Sequence, residues 1–271
     1  MIPQIFAILN ICPDSFSDGG LYATPQKAIE RSKYLISTNI YAIDIGAVST
    51  RPNASIISDS DEINRLKPIL PKVINIAKNA AVKISLDSFN YKTICYGIDA
   101  GIDIINDVNA LRDERFIDLL AQNKQLQIVF MHSLSLPADK NIIMQQSNEQ
   151  MLGEIANYAS IKIAKMLDKG LELSNIIFDP GLGFGKNANQ GLYIMKNLFV
   201  LKQMILANLG LNTKNDIQVL IGHSRKSMLR ELSGYNLTQN QEIDNAALTA
   251  LTNITTKLIL ENNSCNFIRV H

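Results

Sequence analysis

Polar side chains follow nearly every short apolar run of this 271-residue chain. Any one of them could be a turn cap or a solvated charge, but their repetition after run upon run indicates a shared site. Arginines bind phosphate with two parallel hydrogen bonds, so the set predicts a small anionic substrate. The residues are Asn10, Ser49-Thr50-Arg51, Asp87, Asn106-Asp107, His132, Asp179, Ser224-Arg225-Lys226, Arg269 and His271.

The last apolar run contains two polar residues at strand spacing. Arg269 and His271 lie two positions apart, so they share one face of a strand, while Ile268 and Val270 share the other. The apolar pair suits a face that packs against helices. We therefore expect Arg269 and His271 to point into the interior of the fold.

An inward arginine needs a negatively charged partner, because an unpaired buried charge is very costly. One interpretation is an internal salt bridge between Arg269 and Asp87 or Asp179. The other is a bound phosphate or pyrophosphate, which we favour because Arg51 and Arg225 stand on neighbouring loops.

Two glycine-rich segments could bring backbone close to a ligand. Residues 179–186 read DPGLGFGK, which departs from the P-loop because no glycine stands five residues before Gly185 and Asn187 replaces Ser/Thr. This segment is either a flexible loop that lets Phe184 approach a ligand or a plain strand-to-helix turn. Residues 14–20 form a similar polar loop that also carries an aromatic residue.

Eight apolar runs alternate with amphipathic segments, and no linker or compositional break divides the chain. Strict alternation predicts a parallel sheet with right-handed crossovers. Eight strands favour closure into a TIM (β/α)8 barrel over an open doubly wound sheet. Barrel enzymes build their sites at the carboxyl ends of the strands, where these polar residues fall. We therefore predict one domain over residues 1–271, with strands near 5–9, 41–46, 83–87, 102–107, 127–132, 175–179, 217–222 and 266–271.

Helical patterns fill the segments between the runs. The first has an N-cap at Thr24 followed by Pro25, and a second starts at 60–62 and carries apolar residues on one side as far as Ile76. A third helix ends at 100–101, and others cover about 112–123, 145–169, 189–209 and 242–262. No segment follows His271, so we expect a barrel that lacks the final helix and a seam at strand 8 without full cover.

The composition excludes several classes of protein. The net charge is +1, and no basic stripe suggests a nucleic-acid partner. The longest apolar runs have strand length, so we expect no membrane span. The N-terminus lacks a basic region followed by an apolar stretch, so we expect no signal peptide. Cys12, Cys95 and Cys265 lack metal-like spacing and cannot all pair, so a reducing cytoplasm fits best.

Five segments, taken together, closely resemble the dihydropteroate synthase family. They occur in the same order as in that family and extend from Asn10 to His271. The segments are NICPDSFSDGG (10–20), STRP (49–52), DPGLGFGK (179–186), SRKS (224–227) and RVH (269–271). The resemblance implies a pterin-binding TIM barrel and a target of sulfonamides. The implied reaction condenses 6-hydroxymethyl-7,8-dihydropterin diphosphate with 4-aminobenzoate, giving dihydropteroate and pyrophosphate in folate synthesis.

The resemblance also implies roles for individual residues. Those facing the pterin would be Asp87, Asn106 and Asp179, with Lys226 over the ring and Met131 packed against it. The diphosphate would be held by Arg269, His271 and Asn10. Asn10 would also contact Mg²⁺, and Arg225 would be a further substrate-binding residue. The aminobenzoate site would consist of Phe16, Thr50, Arg51, Pro52, Phe184 and Ser227. Asp87, Asp179, Lys226 and Arg269 are the expected catalytic residues.

Two features depart from the family. Val48 stands where a glutamate usually precedes the Ser-Thr-Arg-Pro segment, which removes a carboxylate that could orient the loop. The absence of a final helix leaves open whether the chain forms a homodimer or is fused to a pterin pyrophosphokinase.

Two rival functions remain. A barrel that transfers a methyl group from a folate to a corrinoid would share the inward Asp and Asn residues. It would have no reason to keep segments 224–226 and 269–271. A non-catalytic or degraded pterin-binding relative is the second rival, and Val48 is the reason to consider it.

Overall fold

The computed structural model describes residues 2–12, 24–48, 57–139, 141–212, 214–238, 240–262 and 264–271. The predicted site residues Phe16, Thr50, Arg51 and Pro52 lie outside this part of the chain. Eight parallel strands form a closed barrel in chain order, which confirms the predicted TIM fold. The strands are β1 (Gln4–Asn10), β2 (Ala42–Gly46), β3 (Lys83–Asp87), β4 (Ile104–Asp107), β5 (Gln127–Met131), β6 (Ile176–Asp179), β7 (Gln218–Ile221) and β8 (Phe267–Val270).

Apolar side chains fill the amino-terminal half of the barrel interior. They are Phe6, Ala42, Ile104, Val129, Ile177, Leu220 and Phe267. Since side chains alternate between the two faces of a strand, residues two positions further along also point inward, nearer the carboxyl end. That second layer includes Asp44, Asn106, Met131, Asp179, Gly222 and Arg269. The barrel interior therefore changes from an apolar layer to a layer rich in polar side chains over two residues along the strands.

Ten helices surround the barrel in the described part of the chain. They are α1 (Pro25–Ile36), α2 (Asp59–Leu66), α3 (Leu70–Lys78), α4 (Tyr91–Ala100), α5 (Arg115–Gln122), α6 (Asn148–Asp168), α7 (Ala188–Lys196), α8 (Leu198–Asn208), α9 (Ser227–Ser233) and α10 (Gln241–Asn262). None of these described helices has the length and apolar character needed to cross a membrane.

Several predicted helix boundaries are wrong. The helix expected from residue 60 to Ile76 is two helices, capped at Ser58 and interrupted before Leu70. Pro68 lies in that interruption, and proline lacks the N–H that a continuing helix needs. The helix expected at 189–209 is likewise divided at Asn197. Helix α9, which Gly234 caps at the carboxyl end with φ +69°, was not predicted because seven residues carry little periodic signal.

The predicted seam at β8 is only partly open. Ile268 and Val270 face outward as expected, since both belong to the apolar layer between barrel and helices. Ile268 is 7% exposed and is thus already covered, whereas Val270 is half-buried. A groove between β8 and α10 runs beside Val270, and Thr252 and Thr256 line its helical side.

Candidate active site

An aspartate in the middle of β2 organises the polar layer. Asp44 is fully buried, and its carboxylate accepts hydrogen bonds from Arg269 Nε at 2.5 Å, Ser85 Oγ at 2.5 Å and Asn106 Nδ2 at 3.0 Å. Four strands thereby contribute to one cluster. Asp44 was missed in the sequence, where it stands inside an apolar run. A charged residue at an inward position of a buried strand is the signal that could have identified it.

Arg269 joins a second carboxylate to this cluster. Its Nη2 donates to Asp87 Oδ2 at 2.5 Å, so Asp44 and Asp87 share one guanidinium. Of the two interpretations offered for an inward arginine, the internal salt bridge is therefore present. It includes Asp87 as predicted and Asp44 in addition.

Burial and shared charge shift the ionisation of this cluster. Burial raises the pKa of Asp87 above the ordinary carboxyl range, and Asp44 adds to this rise while Arg269 opposes it. Burial opposes the charge of Arg269, but Asp44 and Asp87 together raise the pKa of its guanidinium. A site with two carboxylates and one guanidinium favours a cationic or hydrogen-donating ligand beside the carboxylates.

Asp179 at the end of β6 lies across the same space. The position that a Cβ on Gly222 would occupy is 3.8 Å from Asp179 Oδ2 and 3.9 Å from Arg269 Cβ, so these side chains flank one gap. Burial raises the pKa of Asp179, against the attraction of Lys226. Asp87, Asn106 and Asp179 therefore face one environment, as the sequence predicted.

Lys226 reaches the site from the loop after β7. Its Nζ donates to the Leu182 carbonyl and lies 4.9 Å from the centre of the Phe184 ring. Burial lowers the pKa of Lys226 to about 8, while Asp179 opposes that shift. Met131 is buried at the end of β5, directly beside Asp179 in the sheet register. These residues thus border the gap between Asp179 and Arg269.

The remaining predicted residues lie on the rim of the barrel. The position that a Cβ on Gly46 would occupy is 3.3 Å from Asn10 Oδ1 and 3.7 Å from Asp87 Cβ. His271 Nδ1 is 3.2 Å from Ser224 Oγ. Asn10 therefore adjoins the carboxylate cluster, and His271 adjoins the loop after β7.

Arg225 and Ser227 belong to that loop after β7. Arg225 has a left-handed backbone with φ 54°, and its N–H donates to Thr252 Oγ1 at 3.2 Å. Ser227 is the first residue of α9 and is exposed. Both therefore lie at the carboxyl end of the barrel, where the sequence placed them.

Helix α2 anchors the starts of three rim loops, a role that the sequence did not reveal. Arg65 Nη1 donates to the Ala47 carbonyl at 2.9 Å and to Cys12 Sγ at 3.3 Å, beyond β2 and β1 respectively. Glu62, which is fully buried, accepts from Asn90 Nδ2 at 2.7 Å and from Thr93 Oγ1 at 2.8 Å. The helix therefore holds the backbone just before Val48 through the Ala47 carbonyl, and it holds the segment after β3 through the side chains of Asn90 and Thr93.

The described residues contain no cluster of three or more His, Cys, Asp or Glu side chains that could hold a metal ion by themselves. Asn10 does offer a neutral oxygen beside the cluster. Mg²⁺ commonly takes one or two protein oxygens and completes its shell with substrate phosphates and water. The residues present thus fit an ion that arrives with a phosphorylated substrate.

Comparison with known proteins places the chain in a family. The profile described as pterin binding enzyme matches residues 6–271. The dihydropteroate synthase of Neisseria meningitidis serogroup C is 36% identical over 237 residues, which cover 86% of this chain and 77% of that protein.

Solved structures agree with this relationship. A dihydropteroate synthase from Anaplasma phagocytophilum, with bound 6-hydroxymethylpterin-monophosphate, has a TM-score of 0.80 and 32% identity, and the match covers 100% of this chain and 94% of that one. The Xanthomonas albilineans enzyme with 4-aminobenzoic acid has a TM-score of 0.80 at 27% identity, covering 99% and 87%. The Yersinia pestis enzyme in a sulfonamide drug complex has a TM-score of 0.80 at 26% identity, covering 99% and 88%.

The barrel and its polar inner layer are those of a pterin binding enzyme, and the chain belongs to that family. Within the family, the relatives named above are dihydropteroate synthases.

Proposed function

We propose that this protein condenses 6-hydroxymethyl-7,8-dihydropterin diphosphate with 4-aminobenzoate to form 7,8-dihydropteroate and pyrophosphate. The observation that carries the proposal is the convergence of Asp44, Asp87, Asn106 and Asp179 around Arg269 in one interior gap. A pterin needs such a row of acceptors and donors along its planar edge, and a buried carboxylate gives it charge-assisted hydrogen bonds.

The pterin would lie between the carboxylates and Lys226. Asp179 and Asp87 would accept from the guanidine-like edge, and Asn106 would supply both a donor and an acceptor. Met131 would pack against the ring from β5. Lys226 would lie over the ring, which fits its position 4.9 Å from the neighbouring Phe184 ring.

The diphosphate would extend toward the rim, where Arg269, His271 and Asn10 would bind it. Arg225, on the loop after β7, would be a further cation near the diphosphate. Asn10 would hold Mg²⁺ together with the diphosphate oxygens, and the bound ion would neutralise charge on the leaving group.

The reaction then needs positioning and electrostatics more than covalent help from the protein. The bond between the pterin methylene carbon and the diphosphate oxygen breaks, and its electron pair leaves with the diphosphate. Arg269 stabilises that negative charge. Asp87 and Asp179 favour the positive charge that develops on the pterin methylene. The aniline nitrogen forms the new bond to this carbon and gives up one proton, which leaves with the pyrophosphate.

The aminobenzoate would bind on the outer side of the pterin. Phe184 and Ser227 lie at this rim in the structure, and Phe16, Thr50, Arg51 and Pro52 are proposed as its other contacts. We further propose that residues 1–271 act as one cytoplasmic domain on small-molecule substrates, as a homodimer or joined to a pterin pyrophosphokinase.

The test is pyrophosphate release measured with both substrates and Mg²⁺, together with chromatographic detection of dihydropteroate. We expect release that requires 4-aminobenzoate and that falls when Mg²⁺ is removed. If the protein binds pterin diphosphate but forms no product, the proposal is overturned. That result would favour a non-catalytic pterin-binding protein, the alternative that Val48 suggests.

A further inference from the structure

A buried lysine holds the glycine-rich loop between β6 and α7, and the proposed reaction gives it no contact with substrate. Lys186 is 4% exposed although its side chain is cationic. It closes the loop immediately before Asn187, the N-cap of α7. A buried ammonium is tolerated only where acceptors replace its water shell. The partners of Lys186 therefore show what it does.

Four acceptors surround the ammonium. Lys186 Nζ lies 2.8 Å from His132 Nδ1, 3.1 Å from the His132 carbonyl, 3.1 Å from the Phe184 carbonyl and 3.2 Å from the Gly181 carbonyl. Burial lowers the pKa of Lys186 to about 7, while Asp179 opposes that shift. In its ammonium form Lys186 can only donate, so His132 Nδ1 accepts and the ring carries its proton on Nε2. Burial, reinforced by Lys186, lowers the pKa of His132 to about 3 and keeps the ring neutral. Lys186 thus joins the loop to the end of β5.

The backbone of the glycine-rich loop packs directly against the backbone at the end of β5. Gly181 has φ +70°, and a Cβ at this position would lie 2.0 Å from the His132 carbonyl oxygen. The carbonyls of Gly181 and His132 both face Lys186 Nζ, and without that donor these two buried acceptors would repel each other. A donor between them is required, and Lys186 supplies it.

The backbone that Lys186 holds also supports the proposed active site. The Gly181 N–H donates to Asp179 Oδ1 at 2.7 Å, and the Leu182 carbonyl accepts from Lys226 Nζ. The Phe184 ring lies against Lys226. A shift of this loop would therefore move Asp179, Lys226 and Phe184 together.

We propose that Lys186 is a positioning residue, whose buried ammonium ties the glycine-rich loop to His132 and thereby sets the geometry of Asp179, Lys226 and Phe184 for the reaction. The inference rests on the proposed function, because the loop matters for turnover only if those three residues act on the substrates. Small displacements of reacting groups cost rate far more than they cost stability.

The experiment compares Lys186→Met with Lys202→Met in the full chain. Lys202 is a matched control, since it is 8% exposed and is bonded to Asn266 Oδ1 at 2.9 Å and Asp216 Oδ1 at 2.7 Å near the amino ends of β8 and β7. Both variants lose a buried ammonium and both should lose thermal stability. Well below both melting temperatures, we expect kcat of Lys186→Met to fall by about tenfold or more, with a raised KM for 4-aminobenzoate. Lys202→Met should keep kcat and both KM values.

A second variant covers the case in which Lys186→Met does not fold. His132→Phe keeps the ring and its edge contact with Tyr158 but removes the Nδ1 acceptor, so we expect the same kinetic change at a smaller size. Imidazole nitrogen shifts, resolvable because the chain has only three histidines, should show His132 Nδ1 losing its hydrogen bond in Lys186→Met. Wild-type kcat and KM in the folded variant would overturn the inference. A wild-type protein that forms no product would instead overturn the proposed function.

Discussion

Arg269 and Asp44, which are 225 positions apart in the chain, form an ion pair inside the barrel with 2.5 Å between Nε and Oδ2. The pair holds the guanidinium in a fixed orientation, and Asp87 accepts from its other end. A fixed guanidinium loses less conformational entropy when it binds an anion than a mobile one would. The internal salt bridge and the proposed diphosphate contact are therefore compatible functions of one arginine.

Replacing Arg269 by Ala should weaken pterin diphosphate far more than unphosphorylated pterin. Loss of a charge-assisted contact costs roughly 1.5–3 kcal/mol, or about ten- to a hundredfold in affinity. Calorimetric titration of both ligands into wild type and variant measures the difference. Equal losses for the two ligands would show that Arg269 acts only by pairing with Asp44 and Asp87.

Replacing Asp44 by Asn should destabilise the fold. Arg269, Ser85 and Asn106 lose a charged acceptor, and hydrogen bonds to charged groups contribute about 1.5–3 kcal/mol each. Relief of repulsion with Asp87 offsets part of this loss, so we expect a net decrease of about 2 kcal/mol in the free energy of unfolding.

Urea denaturation measures the effect of Asp44→Asn. Asp118→Asn is the control, because its ion pair with Lys169 is exposed and contributes little. Unchanged or increased stability of Asp44→Asn would mean that the repulsion between Asp44 and Asp87 dominates.

Asp179→Asn should weaken pterin and pterin diphosphate to the same extent, because Asp179 is proposed to bind the ring and not the phosphates. The side chain keeps its size, so the barrel should still fold. Asp107→Asn is a matched control: this carboxylate is also buried, but it accepts from the Asn109 and Leu111 N–H groups within its own loop. The control should lose stability and keep both affinities. Selective loss of the diphosphate ligand in Asp179→Asn would place Asp179 elsewhere in the site.

Stability below neutral pH should depend on His223. This histidine is fully buried, Nε2 lies 2.7 Å from Thr256 Oγ1, and burial lowers its pKa to about 4. Between pH 4 and 6.5 the unfolded chain binds a proton that the folded chain excludes, so this contribution to stability is present above pH 6.5 and lost as pH falls toward 4.

The measurement is the difference in unfolding free energy between wild type and His223→Gln across that range. The difference should shift against wild type by about 1.4 kcal/mol per pH unit as pH falls. Buried carboxylates with raised pKa values act in the opposite direction, but they are common to both proteins and cancel. A difference that does not change with pH would show that His223 titrates normally in the folded state.

Much of the barrel could be predicted from the sequence. Strand β3 has the predicted bounds, and the inward direction of Arg269 follows from the apolar residues on either side of it. Strand alternation is a local property, so a single run of sequence reveals it. The divided helices were harder to predict, because the same amphipathic pattern continued across Pro68 and Asn197 although the backbone hydrogen bonding did not.

By itself the sequence determined the residue types at the carboxyl ends of the strands and the family that they resemble. Only the tertiary structure decided which of these residues meet. Asp44 pairs with Arg269, and Lys186 turns away from solvent to His132, because barrel closure brings distant strands within hydrogen-bond distance. Such contacts join residues far apart in the chain, and the periodicity of any one segment carries no information about its partner. Burial then decides their energetics, since removing water from these groups makes each of the contacts necessary.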